Sequence, residues 1–459
     1  MLSGEVFAAN EAFPSDVVAF SYASGWTQIP VQIDERDVVE YARIYGAYSI
    51  GNPNTASFGA NVSGEVYCDP FTFTGADTDQ TVDANDEIVL LASDAGERAM
   101  SAGAPEGVVA ATGIEITLRD SLNGQQAYIY LFLHDGSLDS AAGISYVDYN
   151  FHLLSGDYLA TYNTAGNDAL TGLRNDDHGE PLNAEDSTIR TSTYQRHWSY
   201  RWTCDQLSLL DGPNLIERED YWIAPGACSR HVGTFNAQEG CFIANVTGPI
   251  RAIRSFLGAN SGPLVQVDRL YYQAREDIAV FLRVHPRAAV GMFYVDHTLE
   301  ALGMTYSNNM NSVGVPIDGK PDDLVLGPVD WELVTGDQGS MIRIHDIDTD
   351  IRFSDSDFTL FFADQFDPDV RLCESCLEGC QQVVLLGDSN LIGASGVWNT
   401  ASLPNTDPAL LATNYLTILV TTYYSGTGWT TMDAEIRSAW HNHPLEIDTA
   451  PWPNSQSDP

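Results

Sequence analysis

The chain has 459 residues, about three times a typical domain, which predicts two or three domains or one very large β-architecture. Hydrophobic residues make up 44% and aromatics 10%, enough for a sizeable core, and this excludes intrinsic disorder. With 63 acidic residues against 21 basic ones the formal charge is −42, which excludes a generic nucleic-acid or anionic-membrane binder.

Period-2 and continuous apolar runs between Gly, Asn, Asp and Pro dominate the chain. In order they are Val17–Ser21, Glu87–Leu91, Ile114–Leu118, Ala127–Leu133, Leu264–Tyr272 and Ile278–His285, then Met341–His345, Phe358–Phe362, Val383–Leu386 and Thr417–Tyr424. Many short strands predict an all-β fold: an N-terminal β-sandwich over 1–140 and a larger antiparallel sandwich over 141–450, with a softer break near Asp318–Asp330. Residues 451–459 read as a flexible tail. Helices are few and short: Ala409–Thr413, and Thr431–His441, where Met432, Ile436 and Trp440 fall at i, i+4 and i+8.

The environment reads as extracellular or periplasmic. One Lys (Lys320) against 20 Arg, with 42 Asp to 21 Glu, is the balance of a halophilic or marine secreted protein, or of a high-GC genome with ordinary acidic bias. No stretch reaches the roughly 18 apolar residues of a membrane span. The start Met1-Leu-Ser-Gly-Glu lacks the pattern of a signal peptide, as a mature secreted chain would. Seven cysteines, at 68, 204, 228, 241, 373, 376 and 380, leave at least one unpaired. Cys228–Cys241 is the favoured bridge, with Cys204 able to replace either partner. Cys373, Cys376 and Cys380 form a stapled loop or, with His441 or His443, a metal site.

Positive charge is concentrated. Between Arg190 and Arg287 lie 11 Arg and 9 carboxylates, net +2, while the rest of the chain carries −44. Local salt bridging would produce this, and so would a patch for an acidic, uronate-type polysaccharide. Along Arg190–Thr203, Tyr194, Arg196, Trp198, Tyr200 and Trp202 share one face. Gln195, His197, Ser199 and Arg201 share the other. A loop containing Ala274–Asp277, if even in length, sets Asp268 opposite Arg283 and Gln266 opposite His285, with Tyr272 on the same face. Cleavage of a uronate polymer by β-elimination would use Arg201 or Arg283 to neutralise the carboxylate, His197 or His285 as base and Tyr272 as acid. Gln195, Gln266 and Asp268 would hold the substrate. The alternative is a non-catalytic, calcium-stabilised surface, adhesion or assembly protein. Asp77, Asp79, Asp83, Asn85 and Asp86 supply clustered oxygen ligands before a strand, without the 12-residue EF-hand pattern. Elbow-type serine hydrolase, phosphate-loop, zincin and dinucleotide motifs are absent.

Several blocks resemble a group of secreted bacterial all-β proteins of unknown function. They are Ile29-Pro-Val-Gln-Ile-Asp34, Asp83-Ala-Asn-Asp-Glu-Ile-Val-Leu90, the stretch Gly248-Pro-Ile-Arg-Ala-Ile-Arg to Pro263, and Leu403-Pro-Asn-Thr-Asp-Pro408. The resemblance implies secretion and an all-β fold, and no activity. At the level of fold alone, the chain also resembles the antiparallel supersandwiches of polysaccharide lyases and sugar mutarotases.

Overall fold

Alternating side chains on long strands need two covered faces, and the computed structural model shows how each is covered. It describes residues 1–41, 44, 63–100, 102–153, 185–200, 204–225, 230–231, 241–257, 265–282, 288–349, 358–366, 391–399 and 416–452. The fold is all-β and sandwich-like, with antiparallel pairing between the described strands. One layer is a nine-stranded sheet. Its order is Cys241–Val246, Arg251–Leu257, Val265–Tyr272, Arg275–Leu282, Leu416–Ser425, Gly339–Thr349, Glu332–Gly336, Thr305–Asn308 and Val315–Pro316. The facing layer has two parts. Four strands run from Val147–Asn150 through Ser187–Thr191 and Tyr194–Tyr200 to Cys204–Leu209, and a five-stranded sheet is centred on Ala288–His297. Between the layers Tyr194, Trp198, Tyr271, Ile278, Val280, Phe293, Val397, Ile418 and Val420 form one core. The aromatic side of 194–198 is therefore the core side, and Gln195 and His197 point away from it.

The hairpin at 272–275 is tighter than its charges suggest. Arg275–Leu282 is strand throughout, so Gln273 and Ala274 alone make the turn. Asp268 then lies opposite Ala279 and Gln266 opposite Phe281, four residues from the expected register but with the same residues on each face.

The N-terminal unit has a five-stranded sheet in the order Glu446–Pro451, Ile114–Arg119, Gln126–Leu133, Val17–Tyr22, Trp26–Ile29. Against it lies a three-stranded sheet of Leu2–Ser3, Glu87–Val89 and Gln32–Asp34, with Val17, Ala19, Ile88, Ile116 and Leu131 between them. Residues 1–140 thus do not complete this unit, because its edge strand comes from the far end of the chain. Trp452 follows that strand and is buried against Trp26 and Phe132, at ring separations of 5.6 and 5.4 Å. Order therefore extends past 451.

An α-helix spans Thr431–Asn442. Its first turn is fixed by Asp433, which accepts hydrogen bonds from the Thr430 N–H and hydroxyl, each 2.8 Å. Ala434 and Ser438 face the nine-stranded sheet, and Ala434 packs with Trp331, Leu333, Ile342 and Ile344. Val383–Leu386, Ala409–Thr413, Cys228 and Cys373–Cys380 lie outside the described residues.

Candidate cation site and the ion cluster beside it

Part of the positive island turns inward. Arg196, Arg269, Glu219 and Glu276 meet in the sandwich core, where Arg196 reaches Glu219 at 3.3 Å and the Tyr424 hydroxyl donates to Glu276 at 2.7 Å. Arg254 lies over Trp198 at 4.1 Å and binds Glu185 through both terminal nitrogens. Five arginines of the island (Arg196, Arg251, Arg254, Arg269 and Arg275) are held by carboxylates. For these five, local ion pairing takes up the charge, and burial makes the pairs of Arg196, Arg251, Arg254 and Arg269 dependent on both partners.

The proposed substrate face is divided. His197 sits on the outer side of the four-stranded sheet, its Nε2 2.7 Å from Asp186, and nearby Gln195 donates to the Leu210 carbonyl at 3.2 Å. Gln266, Asp268 and Tyr272 lie on the outer side of the nine-stranded sheet, with the whole sandwich between them and His197. That surface is covered by the N-terminal unit: Val39, Tyr41, Val66 and Tyr67 pack on Ile253 and Leu257. Gln266 accepts from the Tyr41 hydroxyl at 2.9 Å and donates to Asp268, which also accepts from Ser255. Tyr272 is buried, its hydroxyl accepting from Arg251 at 3.1 Å, and burial raises its pKa. Tyr272 therefore faces a junction within the protein rather than a solvent-open groove, and it does not meet His197. Arg201, Arg283 and His285 lie outside the described residues.

The junction is organised by Arg251, whose side chain is fully buried. Its Nε donates to Asp34 at 2.8 Å, and Nη2 pairs with Asp34 at 2.6 Å and with Glu87. Gln32 accepts from the N–H groups of Ile250 and Arg251 at 3.0 and 2.9 Å and donates to the Arg251 carbonyl at 3.1 Å. Arg36 adds a second cation, 3.2 Å from Glu87 and 3.1 Å from Glu65. Burial works against the charge on Glu87, but Arg251 and Arg36 hold it below the ordinary glutamate range. Gln32, Asp34, Glu87 and the segment Gly248–Arg251 thus converge here. A Cβ on Gly248 would stand 2.2 Å from the Gln32 amide carbon, so a side chain at 248 would push the clasp open.

One residue further along the same strands the balance reverses. Asp34 pairs with Glu87, which brings the next residues, Glu35 and Asp86, side by side; the loop before them adds Asp77. One carboxylate oxygen from each of Glu35, Asp77 and Asp86 lies within 4.8 Å of the others. Asp86 is buried and accepts from the N–H groups of Arg36 at 3.0 Å and Asp83 at 2.9 Å. Glu35 Oε1 and Asp77 Oδ2 are shielded from solvent and have no hydrogen-bond partner. Among the described residues no ion pair reaches any of the three. Burial, then the charges of Asp86 and Asp77, push Glu35 up to about 8, while burial and its acidic neighbours push Asp86 up to about 6. The half-buried Cys68 thiol is free and is pushed up to about 12 by burial and the same carboxylates, so it stays protonated.

Two of the five predicted ligands, Asp77 and Asp86, are therefore brought together, while the other three shape the loop. Asp79 accepts from the Thr81 N–H and hydroxyl, Asp83 accepts from the Asn85 N–H, and Asn85 donates to the Arg36 carbonyl. Glu35 escaped the sequence reading because it lies 42 positions before Asp77 and arrives through strand pairing. The acidic doublets Asp34-Glu35 and Asp86-Glu87, each at a strand end, were the available signal. The loop is anchored on the large sheet: Asp69 accepts from the Asn245 N–H at 2.7 Å, and the Thr72 and Thr74 hydroxyls both donate to the Ile243 carbonyl. A cation at the trio would therefore tie a loop that already bridges both units. No protein-family model matches this chain, and no curated protein sequence matches it either.

Proposed function

We propose that the protein is a non-catalytic extracellular β-scaffold whose N-terminal unit is fastened to its large sandwich by a divalent cation at Glu35, Asp77 and Asp86. The observation that carries this reading is the trio itself, three converging carboxylates with two shielded, unpartnered oxygens and no paired arginine. Buried like charges without a counter-ion are costly, and a cation supplies the missing charge and coordination together. The donors are all carboxylate oxygen, which suits calcium better than a softer metal. The acidic chain keeps such a scaffold soluble where extracellular calcium is plentiful.

The uronate-lyase alternative draws little from the described residues, since His197 and Tyr272 occupy opposite sides of the sandwich and the described island arginines that form ion pairs face carboxylates. The two readings separate experimentally. Calcium about 100-fold above its Kd stabilises by about 2.7 kcal/mol, so the melting temperature rises by several degrees and falls again with chelator. Asp77→Asn removes that response. Identical melting with calcium and with chelator, without heat of binding, overturns the cation site. Release of unsaturated product from alginate, pectate or glucuronan overturns the non-catalytic scaffold.

A further inference from the structure

The helix Thr431–Asn442 is mounted with its bulky side outward. It turns Ala434 and Ser438 to the sheet and leaves Met432, Ile436 and Trp440 exposed by 62%, 40% and 51%. At 100° per residue the exposed stripe lies opposite the buried pair. Leu445, just beyond the helix, is 42% exposed and adds to the apolar surface. An amphipathic helix in a monomer normally buries such a stripe, and Trp and Met are side chains that anchor interfaces.

Charge around the stripe selects the occupant. Asp433 flanks it on one side and Glu435 on the other, and Glu446 and Asp448 follow in the next strand. The helix's one basic residue beside its histidine, Arg437, is drawn back over Trp429 at 3.8 Å and Tyr423 at 5.7 Å. His441 is turned to Asp346. The rim is therefore acidic. A second copy would set Asp433 and Glu435 against their own equivalents on a chain of −42, and an anionic membrane would be repelled.

We propose that the Met432–Ile436–Trp440 stripe is a docking face for a basic amphipathic segment of another protein, with apolar side chains on the stripe and Lys or Arg on the acidic rim. This proposal is independent of the cation site. Its test is calorimetric titration of the full chain with a helical leucine–lysine peptide and with a scrambled peptide of identical composition. The amphipathic peptide should bind about tenfold tighter than the scrambled one. The doubly substituted chain Ile436→Ser/Trp440→Ser should lose that preference while melting as the parent does, and Glu435→Gln should weaken binding and its salt dependence. Equal affinity for the two peptides, or a preference that survives in the double variant, overturns the proposal. A dimer that the double variant dissolves assigns the stripe to a second copy, and stripe-dependent binding to phosphatidylcholine vesicles assigns it to lipid. Either result also overturns the proposal.

Discussion

Asp34 and Glu87 differ from Glu35 and Asp86 by a single step along the same paired strands. The first two point to the nine-stranded sheet, where Arg251 compensates both, and Arg36, close by in sequence, also reaches Glu87. The second two point to the Asp77 loop, where no cation among the described residues pairs with them. The period of a strand is two, so neighbouring acids share a backbone and nothing else. The same carboxylate chemistry is an internal fastener on one side and, among the described residues, an uncompensated cluster on the other. The contrast also shows why a charge count along the sequence misleads, since what matters is which face each charge takes.

The sharpest way to break the contrast is to make the compensated side resemble the other. Arg251→Met leaves Asp34 and Glu87 buried without their main partner and should cost about 3–5 kcal/mol in urea unfolding. A loss below 1 kcal/mol would mean the cluster contributes little to the junction. The sandwich interior contains a related pair of opposites. Glu332 is compensated by Arg343, by His345 at 2.6 Å and by the Tyr306 hydroxyl at 2.8 Å, and these outweigh burial to bring it down to about 2. Its contribution is in place above the ordinary value of 4.5 and fades as pH falls towards about 2. His297, in contrast, is buried with Nδ1 on the Leu215 carbonyl and Nε2 unpartnered. Burial, then Arg343, lowers it from 6.5 to about 3, although Glu332 pulls the other way.

Between those two values the unfolded chain binds a proton that the folded chain does not, so stability falls as pH drops below 6.5. By about pH 4.5 this amounts to about 2–3 kcal/mol. His297→Gln should flatten that part of the stability–pH curve; an unchanged slope would remove His297 from the account. Gly248→Ala tests the clasp from the backbone side, with an expected loss of about 1–3 kcal/mol as Gln32 is displaced. The smallest effect has the opposite sign. In chelator, Glu35→Gln should stabilise the protein by about 1 kcal/mol, because a neutral amide escapes the cost of the shielded carboxyl whose pKa is pushed up to about 8. It should also blunt the response to calcium.

Much of the fold was legible, because alternation is local. Tyr194, Arg196 and Trp198 share a buried face as their spacing required, and Ile278 and Val280 do the same. The hairpin register was not legible. Arg275, Glu276 and Asp277 look like a polar loop, yet Glu276 is buried because its arginine partners come from distant strands at 196 and 269. The helix was legible in position but not in orientation, since periodicity marks a stripe and does not say which side the sheet takes. At the candidate site, Asp77 and Asp86 could be grouped by proximity in sequence. Glu35 could be added only by a strand pairing that spacing does not encode.

The edge strand Glu446–Pro451 has a consequence for how the molecule is made. It pairs with Ile114–Arg119, joining Glu446 to Arg119 across most of the chain. During synthesis the N-terminal sheet must wait, with Ile114–Arg119 as an open edge, until the chain as far as Pro451 has been released. Closing so long a loop is slow, and an exposed strand edge in the interval invites pairing with other chains. A chain truncated before Glu446 would keep that edge open permanently and should aggregate, although nearly every residue of the large sandwich would still be present.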